Sequence, residues 1–160
     1  MMGSEMRMRR VPANEQERGI PALEEGFAAI LQNDVFDRET ESGVLCSLGE
    51  EWRTMNVLLT GEAFPEGPCS LPVLGGEHVA TFDSRFDVML WLGAEGVRSA
   101  RAYVAEVDFD ERFERNRKEL RYYGDISYLA TDLRRRLDAM QRFYSLAEDA
   151  GEAVVKRVYE

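Results

Sequence analysis

The apolar positions change period from one stretch of the chain to the next, and those changes mark out its elements. In MRMRRV, within Glu5 to Val11, apolar and basic residues alternate loosely, which predicts a strand with one wet face, ended by Pro12. A short polar helix over Ala13 to Arg18 and a second over Pro21 to Leu31 come next. In the second, Leu23, Phe27, Ile30 and Leu31 share one face, and Pro21 suits its first turn. DRETESG reads as a polar connector and VLCSL as a short buried segment. In GEEWRTMNVLLTG, the residues Trp52, Met55, Val57, Leu58 and Leu59 give a helix with a broad apolar side. Glu50 and Glu51 fall in its dipole-favoured first turn, and Gly61 is the stop.

RFDVMLWL, from Arg85 to Leu92, is a nearly continuous apolar run and predicts a central strand. A helix over Ala94 to Val107 follows, and Asp108 caps a further one running to about Leu120. RYYGDIS is a loop. From Tyr128 to Ala150 the recurrence of Leu129, Leu133, Leu137, Met140, Phe143 and Leu146 is the strongest helical signal in the chain; it should turn Leu133, Leu137 and Met140 to the core and Arg134, Arg135 and Asp138 to water. Gly151 closes that helix and AVVKRVY returns as a C-terminal strand. The fold class is therefore α/β: one layered domain spanning 1–160, a small mixed sheet holding the N- and C-terminal strands beside the run at Val88 to Leu92, and several packed helices. Residues 1–4 are given no structural weight.

Composition narrows the classes of function. The 160 residues carry 30 Asp and Glu against 20 Lys and Arg, for a formal charge of −10, and a field of that sign repels phosphodiester backbones. No nucleic-acid partner is expected, and a basic protein partner is the one that charge would steer inward. No apolar run approaches the length of a membrane span, so no membrane partner is expected and the chain reads as cytoplasmic. Cys46 and Cys69 have no CxxC spacing and read as reduced thiols. Among the basic residues only Lys118 and Lys156 are lysines.

The stretch from Leu59 to Val79 concentrates glycine, proline, Cys69 and His78, yet matches no catalytic motif. Gly75-Gly76 is followed by Glu77 and His78, not by the Lys and Ser or Thr of a phosphate loop, so a tight turn is the better reading. His78, the single histidine, is in no metal-ligand spacing, and no metal or cofactor is implied. Cys69 and Ser70 lack a nucleophile elbow. The arginines at Arg134 to Arg136 read as a solvated helix side. Tyr122 and Tyr123, before Gly124-Asp125, read either as a contact surface or as cover for a core edge.

Taken in order, EEWRTMNVLLTGEAFPEG, PCSLPVLGGEH and AMQRFYSLAEDAGEAVVKRVY resemble the bacterial YfbM-like family, a domain of unknown function. In that family a tryptophan begins a helix ending in LTG, a proline-rich turn leads to a segment like PLSxAVLGG, and a tyrosine-bearing C-terminal helix ends at a glycine before a strand. Trp52, Leu59-Thr60-Gly61, Pro68, Ser70, Val73-Leu74-Gly75-Gly76, Phe143-Tyr144 and Gly151 match. Asn56 stands where members often have histidine. The resemblance implies a mixed α/β layered fold and no established reaction. By location on the signature segment, Trp52, Asn56, Thr60, Ser70, Gly75, Gly76, Glu77 and His78 are candidate binding residues, with Tyr122 and Tyr123 added from the aromatic loop. Catalytic residues are not assigned. The expected function is an acidic protein-binding module, in the manner of immunity proteins. The rival is a small hydrolase or ligand-binding enzyme, its pocket beneath the loop from Leu59 to Val79 and formed by Asn56, Ser70, Glu77 and His78.

Overall fold

A computed structural model describes residues 3–83 and 87–160. The loose alternation at the N-terminus forms strand β1 (Glu5–Val11), with Met6 and Met8 fully buried. A 3-10 turn (Glu15–Arg18) replaces the expected short helix, and α1 (Ile20–Ala29) carries a proline in its first turn. The expected polar connector is instead helix α2 (Asn33–Ser42), ended by Gly43 and with Val35 and Phe36 packed inward. VLCSL is strand β2 (Leu45–Gly49). Helix α3 (Trp52–Thr60) stops at Gly61 as expected; Glu50 and Glu51 precede it and lie outside its first turn.

The signature segment contains a 3-10 turn (Gly67–Ser70) and then strand β3 (Glu77–Thr81), where a loop was expected. Strand β4 (Val88–Leu92) follows; Arg85 and Phe86, assigned to the same strand from sequence, lie outside the described residues. Helix α4 (Ala94–Ala105) leads to α5 (Phe109–Arg115), whose first turn is capped by Asp108 accepting from the Glu111 N–H at 3.1 Å. The helix expected to continue to Leu120 breaks at Asn116, before α6 (Arg117–Leu120). The Asn116 side chain is buried and donates to the Leu58 carbonyl at 2.9 Å, tying the break to the end of α3. Helix α7 (Ile126–Asp149) is capped by Asp125, and β5 (Ala153–Tyr159) closes the chain.

The strands form one sheet in the order β2-β1-β5-β4-β3, with every ladder antiparallel. The C-terminal strand β5 is central, so β4 is interior without being the middle strand. One row of partners crosses the whole sheet: Cys46, Met8, Lys156, Leu90 and His78. Strand side chains alternate faces, and helices cover both. On one face α3 to α7 enclose a large core around Leu58, Leu133, Leu137, Met140 and Val154. On the other, α1 and α2 cover a smaller one around Leu23, Phe27, Met89 and Val155. The predicted stripe of α7 is buried from Leu129 to Phe143, with Leu146 half-buried, while Arg134, Arg135 and Asp138 are exposed. Ser4 is buried and accepts from the Trp52 indole at 3.1 Å, so structure begins before β1. Among the described residues no helix is long and apolar enough to cross a membrane.

Candidate functional site

The signature segment turns back on itself between α3 and β3, and backbone proximity dictates its glycines. The Gly75 N–H donates to Ser70 O at 2.6 Å, and a Cβ at Gly75 would lie 2.5 Å from the Leu71 Cα. Gly76 has φ 131°, and a Cβ there would approach the Trp91 carbonyl oxygen to 2.8 Å. The pair is a tight turn laid against the neighbouring strand, with no room for a side chain.

Two buried polar side chains hold this turn from beneath. Lys156, in the middle of β5 and fully buried, donates through Nζ to the carbonyls of Leu71 and of Gly75, the second at 2.7 Å. Tyr144 of α7, also fully buried, donates its hydroxyl to Pro72 O at 2.6 Å. Burial drives the Lys156 amine well below its ordinary value. Its N–H groups go to two backbone carbonyls. Burial also raises the Tyr144 hydroxyl, helped by the Cys46 thiol, so it stays a donor. These groups hold the turn's carbonyls from the side of the core.

The sequence-predicted site residues serve their own segments. The Trp52 indole bonds Ser4, and its ring meets Phe64 edge-on at 5.9 Å. Asn56 is fully buried, donates to Ala63 O at 3.0 Å, and its Oδ1 has no partner among the described residues. The Thr60 hydroxyl donates to Asn56 O at 2.8 Å and accepts from the Glu62 N–H, so Asn56 and Thr60 jointly shape the exit of α3. Ser70 Oγ donates to Gly67 O at 2.6 Å. Glu77 and His78 lie exposed on edge strand β3; Gln16 reaches Glu77 at 3.5 Å, and His78 Nε2 is 2.7 Å from Thr81 Oγ1. The four residues expected to form the hydrolase pocket therefore have separate partners, and the described clefts are lined by other residues. Tyr122 and Tyr123, on the turn between α6 and α7, are 85% and 42% exposed.

Among the described residues, clefts open to solvent include these three. One lies beside α1 and Tyr159, a second between α1 and Arg9, and a third between α2, β2 and α7. The third is lined by Arg135, Arg136 and Arg142. Arg136 is not the solvated side chain the sequence predicts: it is 18% exposed and bonds both Asp132 and the Ser47 carbonyl. Cys46 is buried at this cleft, and burial pushes its thiol up to about 12, with Arg136 pulling weakly the other way. It is an inert thiol at neutral pH. Among the described residues no group of His, Cys, Asp and Glu is placed to hold a metal ion.

Sequence reasoning passed over Lys156. Its signal was present: a lysine inside a valine-rich strand of a chain that is otherwise almost wholly arginine at its basic positions. The arginine cleft left a weaker trace, because its members become neighbours of Phe36 and Leu45 only through the fold.

A family profile described as a domain of unknown function, DUF1877, matches residues 2–156. Among solved structures, a protein of unknown function, YfbM from Escherichia coli, is similar with a TM-score of 0.61 and 14% sequence identity, covering 96% of this chain and 99% of that one. At that identity the likeness speaks for the fold alone. No curated protein matches the chain.

Proposed function

The chain belongs to the DUF1877 family of domains of unknown function, and we propose that it acts as an acidic protein-binding module of the bacterial cytoplasm, engaging a basic protein in the manner of an immunity protein. The observation that carries this reading is a tyrosine corner. Tyr122, Tyr123 and Tyr128 are 85%, 42% and 58% exposed around the turn that leads from α6 into α7. Tyrosine offers large contact area, few rotamers and a polar tip, which is why it is enriched at protein contacts. The formal charge of −10 supplies long-range attraction for a basic partner. The free thiols of Cys46 and Cys69 suit a reducing compartment.

The test is affinity capture at low salt, identification of the retained protein, and titration of the purified pair. A basic partner whose binding weakens as salt rises and falls in Tyr122→Ala supports the reading. Absence of any salt-sensitive partner, or binding indifferent to both Tyr122→Ala and Tyr128→Ala, overturns it.

A further inference from the structure

We infer that the cleft between α2, α7 and the edge strand β2 is a binding site for a small phosphate monoester with an apolar body. Its volume is about 280 Å³, close to the lower end of the roughly 300–1,000 Å³ typical of ligand sites, so the occupant is small. Phe36, Leu45 and Phe143 supply apolar lining, and Arg135, Arg136 and Arg142 supply the charge.

Several arginines elsewhere on this acidic chain have a carboxylate each or more: Arg9 has Glu39, Arg10 has Glu152, Arg101 has Glu148 and Asp149, and Arg134 has Asp110. At the cleft three arginines share one. Asp132 accepts from Arg135 at 2.8 Å through Oδ1 and from Arg136 at 2.8 Å through Oδ2. Arg142 has no carboxylate partner among the described residues and donates only to the Glu41 carbonyl, at 3.0 Å. Burial alone would raise the Asp132 carboxyl, but the hydrogen bonds from Arg136 and Arg135 outweigh it and hold the group low, hence ionised. Three cations against one anion leave two positive charges facing a partly apolar hollow. A phosphate monoester carries about −1.5 to −2 at neutral pH and matches that excess, whereas a carboxylate leaves half of it unspent.

The donors are also prepared in advance. A guanidinium has five N–H groups, and these side chains spend one or two each on Asp132, Ser47 and Glu41. Those bonds fix the forks at the sheet edge and leave further N–H groups free for the bidentate contacts that phosphate favours.

Calorimetric titration of the full chain with phenyl phosphate, inorganic phosphate, benzoate and phenol tests the assignment. Phenyl phosphate should bind best, and its binding should weaken as salt rises. Arg142→Ala should weaken it about tenfold through loss of a charge-assisted donor. Ala139→Glu, at an exposed lining position on α7 that glutamate suits as a helix former, should abolish it while the unfolding midpoint holds. No binding of phenyl phosphate, or binding unchanged in both variants, overturns the site. Benzoate binding as well as phenyl phosphate overturns the phosphate assignment, and inorganic phosphate binding as well overturns the apolar body.

Discussion

Two polar clusters lie near the sheet, one beneath the turn at Leu71 to Gly76 and one at the edge of β2, and they differ in how much of their hydrogen-bonding capacity is already used. Under the turn, Lys156 donates to the carbonyls of Leu71 and Gly75, and Tyr144 gives its only hydroxyl proton to Pro72. At the edge, three guanidinium groups are held by one or two bonds each and still face a hollow. A buried donor whose capacity is spent on backbone is architecture, because any ligand would have to displace a bond already made. A donor held in place with capacity to spare is where a ligand can add interactions. The segment most conspicuous in the sequence thus belongs to the first kind.

The largest effect that would sharpen this contrast is expected from Lys156→Met, which keeps an unbranched stem but strands two buried carbonyls. At about 1–3 kcal/mol for each stranded acceptor, the variant should lose about 2–6 kcal/mol in denaturant unfolding. The loss should also depend on pH. Burial drives the amine's value in the folded chain well below the 10.5 it has when unfolded, so unfolding takes up protons below that ordinary value. Raising the pH through the units below 10.5 therefore favours the folded state, by up to about 1.4 kcal/mol per pH unit. The gap between the native chain and Lys156→Met should widen over that range. A gap flat with pH would mean that burial leaves the amine's value near its ordinary one, breaking the account of a desolvated lysine beneath the turn.

Tyr144→Phe comes next, with one stranded carbonyl and an expected loss of about 1–3 kcal/mol by the same measurement. Because burial raises the Tyr144 hydroxyl above 10.0, it is protonated in both states below that value and contributes no slope there. Its stabilisation is lost only as pH climbs past 10.0, so the two variants are separable by their pH profiles. Arg142→Ala should change stability by only about 0.5 kcal/mol, since its side chain is exposed and bonds a single carbonyl. A loss comparable to that of Lys156→Met would move the arginine cleft into the architectural class.

How far each region could be read from sequence follows from the same physics. The long helix was legible because Leu129, Leu133, Leu137, Met140 and Phe143 repeat at a single period over many turns, and burial follows that period. Helix α2 was not, because NDVFDRETES offers only the adjacent pair Val35 and Phe36 and no repeating face; its half-wet position over the small core demands no more. Strand β3 escaped notice because EHVAT is a short edge strand with one neighbour and little buried surface. The turn's glycines pointed correctly to close backbone approach, but what lies under them comes from β5 and α7, far along the chain. Lys156 reads as a wet position by residue type and is the reverse, since the carbonyls that make its burial tolerable are invisible in linear order.

The smallest effect is expected where the sequence drew most attention. His78 sits on β3 at the exposed edge of the sheet, two residues after the crowded Gly76, and its Nε2 reaches only Thr81 of the same strand at 2.7 Å. The β3–β4 register shifts between His78 and Ala80, an irregularity of the kind that keeps an open edge from pairing with another chain. His78→Ala removes one solvent-exposed hydrogen bond and leaves no buried group stranded. It should therefore shift stability by no more than about 0.5 kcal/mol. Phenyl phosphate binding at the arginine cleft should be unchanged as well, because the cleft lies at β2, the opposite edge of the sheet. A loss of several kcal/mol, or of ligand binding, would show that the signature segment carries function through its exposed edge and would reverse the contrast between the two clusters.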